Sequence, residues 1–195
     1  MRMRASRSES GNQSAIDYSQ NGSHILDADK ETFNYLFSLY YRQLYHYGFK
    51  ITANEELVKD CIQELFLVLW KKRQTINEIK CIRAYLISSL RRMVFRQLKK
   101  QRNSYERDRS YIDSSFSDTV DLENLADHFE TKPECRKRLS DAINSLSNRQ
   151  KEAVNLKFYD GLNNREIACV MEINLQSVYN HISEAVRQLQ GLIGR

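Results

Sequence analysis

Chain breakers are scarce in this sequence, with one proline and six glycines among 195 residues. Together with long apolar periodicities at three- and four-residue steps, that scarcity argues for a mostly helical, all-α protein. No apolar stretch approaches the ~18–20 residues needed to cross a bilayer, so no direct membrane insertion is expected. The N-terminus carries charge but lacks the apolar core of a secretory signal. Cys61, Cys81, Cys135 and Cys169 lie far apart, and no Cys-x-x-Cys pair or matching histidine spacing suggests zinc. They read as reduced thiols of a cytoplasmic protein. A Gly-rich phosphate loop, a His-Glu metal pair and a Ser/His/Asp arrangement are all missing, so we expect no catalytic residue, no metal and no cofactor.

The most informative stretch runs from Gly161 to Gln190. Gly161 suits the left-handed stop of a preceding helix. Asn163 followed by Glu166 has the spacing of a capping box, and Ile167, Ala168 and Met171 then repeat at helical intervals. Asn174 can cap a second helix with Val178, Ile182, Ala185 and Leu189 on its inner face. Two short capped helices joined by a tight turn form a helix-turn-helix, whose second helix enters the DNA major groove. Its outward residues are polar without being simply charged: Gln176, Ser177, Tyr179, Asn180, His181 and Ser183. A formal charge of +5 agrees with an anionic partner.

The remaining chain divides by composition. Residues 1–28 are rich in Ser, Asn and Gln and are expected to be a disordered extension. A first domain, 29–103, starts with a helix whose apolar face is Phe33, Leu36, Phe37, Tyr40, Leu44 and Tyr47. A second helix spans about Asn54 to Arg73, with Glu55 and Glu56 in its first turn and Lys71, Lys72 and Arg73 in its last, as the helix dipole favours. It is apolar over a wide arc (Leu57, Cys61, Ile62, Leu65, Phe66, Leu69, Trp70), with Asp60, Gln63 and Glu64 on its polar side. Burial between two neighbours and a surface kept for a partner protein explain that arc equally well. A third helix, about Ile82 to Gln101, is assigned Ile82, Tyr85, Leu86, Ser89, Met93 and Gln97 as inner face, and Arg91, Arg92, Arg96, Lys99 and Lys100 on the other side. From Asp29 to Asn103, fifteen Lys and Arg stand against seven Asp and Glu. Beside a DNA-reading motif, that surplus reads as a phosphate track rather than a merely solvated face. Residues 104–132 turn acidic, Ser-rich and weakly periodic, as a linker does. Pro133 then suits the first turn of a helix. A second domain, 133–195, holds helices from Glu134 to Ser145 and Asn148 to Tyr159, joined through Ser147 and Gln150 as a capping box. Leu139, Ile143, Leu146, Val154 and Phe158 are assigned to its small core.

This bipartite pattern resembles the extracytoplasmic-function (ECF) group of bacterial RNA polymerase sigma factors. The resemblance is carried by Leu39-Tyr40-Tyr41, by the run Asp60-Cys61-Ile62-Gln63-Glu64-Leu65-Phe66 through Trp70 to Arg73, and by Ala84-Tyr85-Leu86. In the second domain it is carried by Leu146 to Gln150 and Gly161 to Ala168. It implies that Asp60, Gln63, Glu64, Phe66 and Trp70 bind core RNA polymerase, at the clamp of the largest subunit, with the flap as a further contact. It implies that Ile76, Asn77, Ile79, Tyr85, Arg91, Arg92, Arg96, Lys99 and Lys100 melt and hold the −10 promoter element. It assigns the −35 element to Arg165, Gln176, Ser177, Tyr179, Asn180, His181, Ser183 and Glu184. Arg92 stands where many relatives have Asn, and Glu184 where a basic residue is common. A membrane-linked anti-sigma factor is a partner that the family would allow.

The implied function is a non-enzymatic sigma factor that directs polymerase to specific promoters. A stand-alone helix-turn-helix regulator is the alternative, and it leaves the first domain without a task. Because a relaxed linker is shorter than the spacing of two promoter elements, the two domains of the free protein are expected to lie close together, with the acidic linker shielding the basic domain.

Overall fold

The computed structural model describes residues 30–73, 79–101 and 133–193. They form seven helices without a strand. The expected N-terminal extension and the acidic linker, including its shielding role, fall outside the described residues.

Helix α1, Lys30–Thr52, is long because its sequence contains no breaker except Gly48. Its stripe of Leu36, Tyr40, Leu44, Tyr47 and Ile51 is buried. Asn54 starts α2, Glu55–Lys72, its side-chain Oδ1 accepting from the Leu57 N–H at 3.1 Å. Helix α3, Ile82–Gln101, completes a set in which α1, α2 and α3 each pack on the other two. Gly48 permits the close approach. A Cβ there would lie 2.8 Å from Val58 Cγ1 and 3.5 Å from Leu90 Cδ2, and both neighbours are buried and cannot yield. Gly48→Leu is therefore expected to lower stability by about 3 kcal/mol or more, read as a fall in the urea midpoint without a change in slope.

The wide apolar arc of α2 is explained by burial. Phe66 is only 3% exposed. Its ring stands edge-on to Phe33 and Phe37 of α1, at centroid distances of 5.7 and 4.9 Å. Trp70 is half-buried against Phe33 and under the Arg73 guanidinium, 4.0 Å from the ring centroid. Phe66 fills the core, and Trp70 lies half-buried at its edge.

In the second set, Pro133 opens α4, Pro133–Asn144, and Ser147 caps α5, Asn148–Val154, through the reciprocal bonds with Gln150. Residues Asn155–Tyr159 continue α5 as a π-helical turn. The wider turn shifts the buried register. Ala153 and Leu156 enter the core, whereas Phe158, expected inside from α-helical spacing, is 62% exposed. Helix α6, Asn164–Met171, and helix α7, Leu175–Ile193, follow, and α7 packs on α4, α5 and α6.

The two sets are docked. Helix α3 packs along α6, and one apolar cluster runs from α1, α2 and α3 into Ala153, Leu156, Leu162, Ile167, Val170, Met171 and Val178. This second contact corrects the expected inner face of α3. Its buried residues are Ile82, Leu86, Ile87, Leu90, Arg91 and Val94, while Tyr85, Ser89, Met93 and Gln97 are half-buried. A helix covered from two sides buries more than one stripe, and here the second stripe includes an arginine.

Candidate nucleic-acid interface

Local chemistry places the helix-turn-helix. Asn163 Oδ1 accepts from the N–H groups of Arg165 and Glu166, each at 3.0 Å, while Glu166 Oε2 accepts from the Asn163 N–H at 2.8 Å. Gly161 is left-handed at φ 68°, as expected. Glu172, which ends α6, is left-handed too at φ 55°, and its N–H reaches the Ala168 carbonyl. Asn174 Oδ1 then accepts from the Ser177 N–H at 2.7 Å and sets the direction of α7. With Val178 and Ala185 buried, α7 presents Gln176, Tyr179, Asn180, Ser183 and Glu184 outward, all exposed. Ser177 and His181 flank them half-buried, and Arg165 is exposed on α6. Gln176 Nε2 donates to Asn180 Oδ1 at 3.0 Å, so the two amides are joined on the exposed side of α7. The arrangement presents paired amide groups, a phenol and a carboxylate on one exposed face, groups of the kind that can bond base edges.

On α3, Arg92, Arg96, Lys99 and Lys100 are exposed along one side, and Ile79 and Tyr85 are half-buried at the start. Ile76 and Asn77 lie outside the described residues. Arg91 differs from its neighbours: it is 3% exposed and turned toward the second set of helices. On α2, Asp60, Gln63 and Glu64 are exposed, and Glu64 Oε1 meets Arg96 Nη2 at 3.3 Å. The acidic face of α2 and the basic side of α3 are thus adjacent. Leu67 belongs to that α2 face by helical spacing and is 59% exposed. By sequence it falls in neither the wide apolar arc nor the polar side assigned to α2. The signal was its spacing from Gln63, four residues earlier.

The family described as Sigma-70 region 2 matches residues 36–104, and Sigma-70, region 4 matches residues 136–189. The chain belongs to the sigma-70 family. Its curated relatives assign it to the ECF group. It is 21% identical over 171 residues to the ECF RNA polymerase sigma factor SigK of Mycobacterium sp. (strain JLS), 87% of each chain. It is 22% identical over 149 residues to the ECF RNA polymerase sigma factor SigX of Bacillus subtilis (strain 168), 76% of this chain and 77% of that one. Its fold is similar to CnrH in a complex with the cytosolic domain of CnrY, with a TM-score of 0.55 and 17% identity over 88% of this chain and 94% of the other. It is equally similar to the sigma factor RpoE of Bartonella quintana in a complex with the anti-sigma factor NepR, with a TM-score of 0.55 and 17% identity over 84% and 98% of the two chains. The protein is thus an RNA polymerase sigma factor of the ECF type, a family of promoter-recognition subunits and not of enzymes.

In this sigma factor a patch of polar groups lies beside the apolar contact between the two regions. Glu152 Oε1 accepts from Tyr47 Oη at 2.7 Å and from Arg91 Nε at 2.9 Å, all three side chains being buried. Burial and the Glu152 carboxylate push the Tyr47 phenol well above its ordinary range, so it donates as a neutral hydroxyl. Further along, Asp160 Oδ1 accepts from Gln43 Nε2 and Oδ2 from Asn155 Nδ2, both at 2.8 Å, and Arg83 Nη1 donates to the Asp160 carbonyl at 3.1 Å. Lys50 donates to Asn155 Oδ1 at 2.5 Å and lies over the Tyr159 ring, 5.1 Å from its centroid. The π turn that displaced Phe158 ends directly before Asp160, whose N–H bonds the Asn155 carbonyl. Among the described residues no helix is long and apolar enough to cross a membrane, and no group of His, Cys, Asp and Glu could hold a metal.

Proposed function

We propose that the exposed α2 face formed by Asp60, Gln63, Glu64 and Leu67 binds the clamp of core RNA polymerase, with Trp70 at its edge and Phe66 supporting it from inside. The basic side of α3, with the residues from Ile76 to Tyr85, holds the melted −10 strand, and the outward face of α7, with Arg165, reads the −35 element. The observation that carries this reading is α7 itself: a helix capped at both the preceding turn and its own start, apolar inside and amide-rich outside, within the stretch that matches region 4. The protein works in the cytoplasm as a non-enzymatic subunit. An anti-sigma factor is a further partner, supported by the RpoE–NepR complex whose fold this chain shares.

The test is assembly. The chain should co-purify with core polymerase and shift promoter DNA only when the polymerase is present. Promoter binding by the chain alone, with no polymerase association, would instead identify a stand-alone regulator. Leu67→Asp should weaken holoenzyme assembly about tenfold or more while leaving the far-UV circular dichroism intact. Phe66→Ala should lower folding stability by about 3–5 kcal/mol instead. Asn180→Ala should reduce discrimination by roughly 1–3 kcal/mol at one or two −35 positions, since it removes one amide and releases Gln176. Run-off transcription on a panel of −35 variants reads this directly, and an equal loss on every variant would show that Asn180 positions the helix without reading a base.

A further inference from the structure

The seam between regions 2 and 4 withholds a cation from the DNA-binding side of the molecule. Arg91 follows Leu90 on α3, immediately before the exposed Arg92, yet its guanidinium is engaged by a carboxylate 61 positions away in sequence. A guanidinium paired to a carboxylate uses the same donors that it would offer to a phosphate. The pair is a poor device for stability alone, because an apolar pair of similar volume holds a buried contact as well or better. Its neighbours are polar too: Gln43, Lys50, Asn155, Arg83 and Asp160 meet through hydrogen bonds. An apolar cluster also crosses the contact, so these polar groups are one part of the docking surface. Geometry requires that the two regions part. Helix α3 packs directly against α6 of the helix-turn-helix. The two promoter elements lie about two helical turns apart, on the order of 70 Å. A chain closed in this way cannot serve both.

We propose that Glu152 is an internal competitor of the promoter strand: with Tyr47 it forms a latch on Arg91 that keeps region 4 docked on region 2 and keeps Arg91 from DNA until the regions separate. The proposal rests on the reading of α3 as the −10 helix. Docking also covers Arg83, whose donated bond to the Asp160 carbonyl is lost on opening. The widened cationic surface then becomes available together with the release of region 4 toward its own element, so that opening and strand capture are coupled events.

The test uses the full chain, small-angle scattering for domain separation, and fluorescence anisotropy with a dye-labelled single-stranded oligonucleotide of mixed sequence. Glu152→Gln keeps the side-chain shape but removes the charge. It should expand the free protein and tighten oligonucleotide binding about tenfold. Combining Glu152→Gln with Arg91→Gln should abolish the gain in oligonucleotide binding. Tyr47→Phe retains the ring, removes one bond to Glu152, and should move both readouts in the same direction by less. Should Glu152→Gln lose its far-UV signal, Tyr47→Phe decides the matter. A compact Glu152→Gln variant with wild-type oligonucleotide affinity overturns the latch, as does a gain that persists without Arg91. Holoenzyme assembly by the wild-type chain, measured in parallel, judges the sigma-factor reading separately, because the latch readouts require no polymerase.

Discussion

Arg91→Ala should lower the stability of the docked chain by about 3–5 kcal/mol, the usual consequence of leaving one member of a buried ion pair without its partner. Glu152 is 4% exposed and would retain only the Tyr47 hydroxyl. At a pH where it stays ionised, a lone carboxylate in that position is relieved by hydration through separation of the two regions. The expected result is therefore specific in form. In urea, Arg91→Ala should unfold in two steps, region by region, where the wild-type chain unfolds in one, and scattering should find it expanded before the first step. Adding Glu152→Gln should recover part of the loss, since it removes the stranded charge. A single transition at the wild-type midpoint would mean that the ion pair contributes nothing to docking.

Asp160 should make stability fall as pH rises across the weakly acidic range. Its side chain is buried, and desolvation pushes its pKa from the ordinary 3.8 up to about 6, against the opposing influence of Gln43, Lys50, Arg83 and Asn155. The sign follows from proton uptake. Between those two values the folded chain holds a proton at Asp160 that the unfolded chain has released. The contribution is complete below the unfolded pKa and disappears as pH rises through about 6. Its size is on the order of 3 kcal/mol. Denaturant unfolding at a series of pH values should reveal the slope in the wild-type chain and its absence in Asp160→Asn, which cannot titrate. Parallel curves for the two proteins would show that the carboxylate is ionised throughout and satisfied by its four neighbours.

How much of this was readable from the sequence depended on the distance between interacting groups. Each of the four side-chain caps at a helix start has its partner within three residues: Asn54 with Leu57, Ser147 with Gln150, Asn163 with Glu166, Asn174 with Ser177. Gly161 and Pro133 act through their own backbone torsions. These local preferences, with the apolar repeats of α1 and α7, determined an all-α chain carrying a helix-turn-helix, and the run from Asp60 to Trp70 pointed to the family. The left-handed Glu172 had no such signal, because glutamate is not a residue that favours that conformation.

Only the tertiary structure decided which polar groups are inside. Arg91 and Arg92 are adjacent and chemically identical, and each could as well lie on a solvated track. What separates them is Glu152 on a helix that becomes a neighbour only after folding. Phe66 and Phe158 were both plausible on either side of the surface. The aromatic flank of α1 drew the first inward, and the π turn leading to Asp160 turned the second out. Helical periodicity assigns a residue to a face, but the number of faces that are covered depends on how many other elements pack against the helix. For α3 that number is three, because region 4 docks on it, and a contact between segments so distant in the chain leaves no periodic trace in either of them.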